Sequence, residues 1–130
     1  MWTQFMDMHS GGGNKENFEY CYIEASEKEA KIIFYNRFGH SPERVTCTCC
    51  GEDYSITESE TIEAATAYER NCALEDGKYV EKLRENSYGR GYITLDDYKK
   101  KPDVLFIYDK DIKPEERIGE VPEQGYVWQD

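Results

Sequence analysis

The chain has 130 residues, of which 38% are hydrophobic, and this suits one compact domain with a modest core. It carries 16 basic and 27 acidic residues, so its formal net charge at pH 7 is −11. Such a charge disfavours direct binding to nucleic acid or to anionic membranes, because both depend on Lys and Arg contacts to phosphate. It suits a partner with a basic surface, although acidic composition also serves solubility alone.

The first residues argue against a secretory signal. Asp7 stands where a signal peptide would have a basic start and a long apolar run, and no later window approaches the length of a transmembrane helix. We therefore expect a soluble, cytoplasmic protein. The five cysteines in such a reducing compartment indicate metal binding or redox chemistry more than a disulfide framework.

A hairpin and a helix are predicted for the first forty residues. Large and polar side chains alternate over residues 2–8, and residues 18–24 have the same strand character, so the two segments can pair across the S-G-G-G loop. Ser26 with Glu29 forms a capping-box pattern at the start of an apolar helical face. Gly39 is placed to end that helix.

The middle of the chain gives weaker signals. Thr57 or Ser59 can cap a second helix, whose inner end would carry Cys72. Residues 78–86 are compatible with a further short helix.

The last third contains one brief helix, one strand and a tail. Thr94 can cap a helix that Pro102 closes, and the apolar run V-L-F-I-Y at residues 104–108 predicts a central strand. The sequence thus predicts an α+β fold with a small single-layer antiparallel or mixed sheet, packed helices and a zinc-knuckle-like site. We assign residues 1–113 to this domain and residues 114–130 to an extended C-terminal segment.

The stretch V-T-C-T-C-C-G-E-D-Y-S carries the most specific chemistry. Cys47 and Cys50 have the C-x-x-C-G spacing of a zinc knuckle, in which a tight turn aims two thiolates at one point and a glycine relieves crowding. Cys49 lies inside that turn, where the side chain usually points away from the metal, and is a substitute ligand only. The spacing therefore predicts one bound Zn²⁺.

Two further ligands must come from other segments, because structural zinc is four-coordinate and binds thiolate or imidazole. The chain offers His9, His40 and Cys72. We select His9, at the end of the first predicted strand, and Cys72, at the end of the second predicted helix.

Redox chemistry, nucleotide binding and a plain buried core are the alternatives. A thioredoxin-like C-x-x-C opens a helix, whereas this one is followed by G-E-D and strand-like residues. The H-S-G-G-G loop with Lys15 nearby has the glycines of a phosphate-binding nest but lacks the rest of a nucleotide motif. The motifs of zinc deaminases and zincins do not occur. We predict a protein that is not an enzyme, with a thiol-redox or nucleotide-phosphate enzyme as a remaining alternative.

Several motifs together resemble a family of small, mostly uncharacterised phage and prophage proteins. They are W-T-Q-F-M-D-M-H-S-G-G-G, E-A-K-I-I-F-Y-N-R-F-G, V-T-C-T-C-C-G-E-D-Y-S-I and A-T-A-Y-E-R-N-C, and they cover residues 2–72. This resemblance implies phage origin and expression in the cytosol of a bacterial host, and it brings no established activity. A small acidic phage protein with a zinc site is also similar to certain anti-CRISPR proteins, which inhibit the RNA-guided nuclease of type II systems.

An acidic segment follows the cysteines and contains no Lys or Arg. Its acids are Glu52, Asp53, Glu58, Glu60 and Glu63. Because an RNA-guided nuclease holds its heteroduplex in a positively charged channel, fixed carboxylates can compete for that surface. The alternative is a solvated helix start, where acids favour the positive end of the helix dipole. The predicted function is accordingly a zinc-stabilised inhibitor of a host defence protein, with a phage accessory or structural domain as the alternative.

Overall fold

The computed structural model of the chain describes residues 1–8, 18–44, 53–84 and 91–122. These ranges contain strands, α-helices and two short 3-10 helices. In chain order the elements are β1 (Trp2–Asp7), β2 (Tyr20–Ile23), α1 (Glu27–Phe38), β3 (Tyr54–Ser59), α2 (Ile62–Thr66), β4 (Cys72–Glu75), β5 (Lys78–Leu83), α3 (Leu95–Tyr98), β6 (Val104–Ile107) and the 3-10 helices Asp109–Asp111 and Pro114–Arg117.

The main sheet has four strands in the order β3-β1-β2-β6. β1 runs antiparallel to both β2 and β3, while β6 runs parallel to β2. A separate two-stranded sheet is formed by β4 and β5. The predicted α+β class with a small mixed sheet is confirmed, and so is the hairpin of β1 and β2.

The caps predicted for α1 are present. The Ser26 hydroxyl accepts the Glu29 N–H at 3.4 Å, and Gly39 ends the helix with a positive φ of 81°. The buried side of α1 packs on one face of the main sheet, where the rings of Phe34 and Phe5 lie 4.8 Å apart. This face forms the larger hydrophobic core.

The opposite face of the sheet is covered as well. Trp2 and Tyr22 pack there with Ala65 of α2 and Tyr98 of α3. The Tyr22 and Tyr98 hydroxyls lie 2.8 Å apart, and the Gln4 side-chain amide donates to Tyr22 Oη at 3.0 Å. The alternation predicted for β1 is confirmed, since its successive side chains enter cores on opposite faces.

The strand predicted at residues 104–108 exists as β6, but it is an edge strand and not a central one. Its apolar run fits a sheet that is covered on both faces, although Leu105 itself is 36% exposed. Phe106 packs in the Trp2 cluster, while Ile107 packs in the core that contains Phe34. An apolar run therefore indicates a strand in a sheet that is covered on both faces, and it does not indicate whether that strand is central or at the edge.

The second predicted helix begins later than expected. Thr57 and Ser59 were wrong as caps because they lie in β3, which pairs with the edge of β1. Thr61 is the cap, and its side chain accepts the Ala64 N–H at 3.1 Å. Since α2 is only five residues long, Cys72 does not end this helix but begins β4.

The short helix predicted from residue 78 is also wrong, because Lys78–Leu83 is strand β5. Asp76 and Gly77 have positive φ values of 50° and 77° and turn the chain back onto β4. A D-G pair between two strands is a strong hairpin signal, so the sequence did contain the information.

The chain after residue 113 begins with a 3-10 helix that packs on α1. The Asn36 amide donates to the backbone oxygens of Glu116 and Ile118, each at 2.9 Å. The Arg37 guanidinium donates to both carboxylate oxygens of Glu116 at 2.8 Å. These hydrogen bonds lower the pKa of Glu116 to about 2. Residues 123–130 of the predicted C-terminal segment lie outside the described ranges.

Replacing Arg37 by Gln is expected to lower the free energy of unfolding by about 1–2 kcal/mol, the usual cost of losing a charge-assisted hydrogen bond. Because the pKa of Glu116 is lower in the folded state, its contribution is complete above about pH 4.5 and is lost as the pH falls toward 2. Urea unfolding at pH 7 and pH 3 measures both effects. Lys100→Gln is the control, because its pair with Asp97 is exposed and long, at 3.7 Å. An equal loss at both pH values would contradict the assignment.

Candidate metal centre and acidic surface

The residues that flank the cysteine segment, 45–52, are hydrogen-bonded to each other. The Asp53 N–H donates to the Arg44 backbone oxygen at 2.8 Å, and Arg44 Nε lies 3.4 Å from Asp53 Oδ2. Asp53 is only 1% exposed. Arg44 and Asp53, the residues on either side of the segment, are therefore neighbours in space. Three predicted ligands, Cys47, Cys49 and Cys50, lie in this segment and outside the described ranges.

The residue before His9 lies next to Asp53 as well. Met8 precedes His9 directly, and its N–H donates to the Asp53 backbone oxygen at 2.9 Å. His9 itself lies outside the described ranges. The chain positions that flank His9 and the cysteines in sequence are thus neighbours in space.

A second histidine lies near this point. The His40 ring stacks on Tyr54, with ring centroids 6.3 Å apart and planes at 20°, and it meets the edge of Phe34 at 5.6 Å. Tyr54 directly follows Asp53 in the chain. His40, just past the end of α1, therefore packs on aromatic core residues close to Asp53, which follows the cysteine segment.

Cys72 occupies a different part of the molecule. It is 1% exposed and lines a cavity of about 300 Å³ together with Thr61 and Glu63, at the start of α2. Asp53, which follows the cysteine segment, directly precedes β3, whereas Thr61 lies two residues past its end, and a strand of this length spans about 17 Å. The geometry thus separates Cys72 from the point where the other predicted ligands start.

The surroundings of Cys72 are dominated by a buried arginine that the sequence analysis missed. Arg70 is 0% exposed, and its guanidinium donates to both carboxylate oxygens of Glu81, at 2.6 and 2.9 Å. Its Nε donates to Thr66 Oγ1 at 2.8 Å. The Tyr92 hydroxyl also donates to Glu81. No local pattern in the polar stretch around residue 70 signals this burial.

These contacts set the protonation of both neighbours. The hydrogen bonds from Arg70 and Tyr92 lower the pKa of Glu81 to about 2. Burial raises the pKa of the Cys72 thiol, whose sulfur lies 3.8 Å from Glu81 Oε2. A raised thiol pKa disfavours the thiolate that metal binding and redox attack require. Within the described ranges, no group of three or more His, Cys, Asp or Glu side chains is arranged to hold a metal.

The five acidic residues predicted to contact a partner differ in their placement. Glu52 lies outside the described ranges, and Asp53 is buried against Arg44. Glu58, Glu60 and Glu63 are exposed, at the end of β3 and the start of α2. We call these three residues the acidic corner.

Two residues of the acidic corner lie in regular secondary structure, Glu58 in β3 and Glu63 in α2, and Glu60 lies in the bend between them. The Glu58 carboxylate accepts the Glu27 N–H at 2.7 Å and so also satisfies a backbone donor at the start of α1. Among the described residues, none of the three acids takes part in an ion pair. Their charges are therefore presented to solvent at a fixed place.

In the part of the chain that the structure describes, no helix has the length and apolar character needed to cross a membrane. Compared with protein-family models, curated proteins and solved structures, the chain gives no significant match.

Proposed function

We propose that this chain is a non-enzymatic, zinc-stabilised phage protein that acts in the cytosol of its bacterial host and inhibits a basic defence protein. The proposed target is an RNA-guided nuclease of a type II CRISPR system, which would make the chain an anti-CRISPR. The observation that carries this proposal is the acidic corner, because it places Glu58 on β3, Glu63 on α2 and Glu60 in the short connection between them.

The charge of the whole molecule supports the same function. A net charge of −11 attracts a basic surface over long range and accelerates encounter with it. At the surface itself, carboxylates fixed by β3 and α2 lose less entropy on binding than carboxylates on a mobile loop. An RNA-guided nuclease offers a suitable partner surface, since its positively charged channel binds the backbone of the heteroduplex.

We also propose that Cys47, Cys50 and His9 bind one Zn²⁺. The backbone hydrogen bonds of Asp53 with Arg44 and Met8 support this set. They hold together the residues that flank the cysteine segment and the residue that precedes His9. A structural zinc would supply the cross-link between those segments. Cys72 as the fourth ligand stays a prediction from sequence, and its separation along β3 favours His40 in its place.

The proposed contact surface is tested by reversing charge at two acids of the corner. Glu60→Lys with Glu63→Lys is expected to weaken binding to the purified nuclease–guide RNA complex by roughly 10–100-fold, because like charges facing each other cost several kcal/mol. Glu58 is left unchanged, since its carboxylate caps α1. Binding by titration calorimetry and inhibition of DNA cleavage are the measurements.

A matched control separates local contact from overall charge. Glu115→Lys with Glu120→Lys changes the net charge equally at two exposed positions near the C-terminal 3-10 helix. We expect this control to bind and inhibit nearly as the unchanged protein does, and we expect both activities to fall with rising salt. Equal losses in the two double variants would show that net charge alone acts. Failure of the unchanged protein to bind would reject the nuclease as target and favour the accessory-domain alternative.

A further inference from the structure

The outer edge of β3 has no neighbouring strand among the described residues. β3 lies at one end of the sheet and, within the described ranges, pairs with β1 alone, in a one-to-one register from Trp2 opposite Ser59 to Asp7 opposite Tyr54. In an antiparallel pair, successive residues alternate between pointing their N–H and C=O groups toward the partner strand and away from it. The direction of each β3 residue can therefore be assigned.

Two hydrogen bonds of β1 settle that assignment. The Asp7 N–H donates to Glu19 on the β2 side, and the Met8 N–H donates to Asp53 on the β3 side, both at 2.9 Å. Even-numbered residues of β1 thus face β3. Their partners in the register include Thr57, whose backbone faces inward, while the backbone groups of Ile56 and Glu58 face outward.

The outer edges of β6 and β5 are less available by comparison. In β6, turn hydrogen bonds from Val104 to Lys101 and from Asp111 to Tyr108 occupy the backbone at both ends of the strand. β5 carries Lys78 and Lys82, and lysine on an edge opposes the pairing of another strand. β3 contains no lysine, no proline and no register shift, and three of its six residues, Tyr54, Ile56 and Thr57, are of types that favour strands.

We propose that the outer edge of β3 binds an extended basic segment of the partner, which adds to the main sheet as a fifth strand beside β3. The acidic corner lies at the end of this edge, so a strand rich in Lys or Arg would pair its charges with Glu58, Glu60 and Glu63 while its backbone bonds to Ile56 and Glu58. The identity of the partner rests on the proposed function; the edge and its preference for a basic strand do not.

A pair of substitutions at one position tests the backbone contact. Ile56→Pro removes the outward N–H, whereas Ile56→Ala shortens the side chain and keeps the N–H. Proline is tolerated on an edge strand where the N–H faces solvent, so both variants are expected to fold. Binding of the nuclease–guide RNA complex should be about tenfold or more weaker for Ile56→Pro than for Ile56→Ala. Equal affinities of the two variants would overturn the proposal.

Thr57→Pro tests the assignment of direction itself. Its N–H faces β1, so this variant should show a clearly lower melting temperature than Ile56→Pro. Equal melting temperatures of the two proline variants would contradict the alternation on which the proposal stands.

A peptide experiment tests the edge without the nuclease. The probes are two eight-residue peptides, one alternating Lys with Val and one alternating Glu with Val. Hydrogen exchange followed by NMR should show the amides of Ile56 and Glu58 exchanging fast in the free protein and slowing when the Lys peptide is added, with little slowing for the Glu peptide. Protection confined to other strands, or equal protection by both peptides, would reject the edge.

The two experiments fail differently. If the nuclease does not bind but the Lys peptide protects Ile56 and Glu58, the edge stands and the proposed target is wrong. If the nuclease binds through Glu60 and Glu63 but both Ile56 variants bind equally, the proposed function stands and the added strand is wrong.

Discussion

Removal of zinc is expected to unfold the protein or to lower its melting temperature more than any other change proposed for this chain. Structural zinc contributes about 10–16 kcal/mol of apparent binding free energy in small domains, and this energy is available only to the folded state. The protein should be purified with about one zinc per chain, as measured by metal analysis. Thermal unfolding with and without a chelator then measures the loss. Protein that is free of metal and keeps its melting temperature would contradict the zinc proposal.

Single substitutions identify the ligands. Cys47→Ser and Cys50→Ser are expected to lose the metal and much of the stability, whereas Cys49→Ser is the matched control within the same turn and should keep both. His40→Ala and Cys72→Ser decide the fourth ligand. Loss of zinc in His40→Ala alone would support the ligand favoured by the position of His40 beside Tyr54. Loss in Cys72→Ser alone would support the prediction from sequence.

The second large effect concerns the buried arginine. Replacing Glu81 by Ala is expected to lower the free energy of unfolding by about 3 kcal/mol, because it leaves the Arg70 guanidinium buried without its charged partner. This is the lower end of the usual cost, since the Glu81 side chain is 51% exposed and water can reach the vacated site. Urea unfolding at pH 7 measures the change. A loss below about 1 kcal/mol would show that the pair behaves like an exposed one.

A control for this variant lies in the same hairpin. Glu75→Ala removes the partner of Lys82, and both side chains are about half exposed or more. The expected loss is below about 1 kcal/mol, as for other surface ion pairs. A comparable loss in the two variants would mean that the hairpin, and not the buried arginine, responds to the substitution.

The contribution of Glu81 should depend on pH in a definite direction. Its pKa is about 2 in the folded protein and near 4.5 when the chain is unfolded, so the folded state favours the charged form. The stabilisation is complete above about pH 4.5 and is lost as the pH falls toward 2. The difference between the unchanged protein and Glu81→Ala should therefore shrink on acidification. A difference that stays constant from pH 7 to pH 3 would contradict this linkage.

The elements that could be predicted from sequence are those whose signals lie within a few residues of one another. Ser26 and Gly39 bound α1 through hydrogen bonds and backbone angles that depend on immediate neighbours, and Thr94 caps α3 in the same way. The hairpin of β1 and β2 follows from the alternation of large and polar side chains in both strands. In each case the stabilising partner is local or belongs to the next element of the chain.

Features that depend on distant partners became clear only from the folded structure. Residues 54–59 form a strand because they pair with β1, some fifty residues earlier in the sequence. The helix that follows is therefore capped by Thr61 and not by a residue within this strand. Arg70 is buried because Glu81, eleven residues later, and Thr66 satisfy its charge and donors. Asp53 is buried and pairs with Arg44 through a backbone hydrogen bond and an ion pair, although its sequence context suggests an exposed surface acid. A local sequence pattern cannot predict these buried charges, because a buried charge is stable only when the folded chain places a partner beside it.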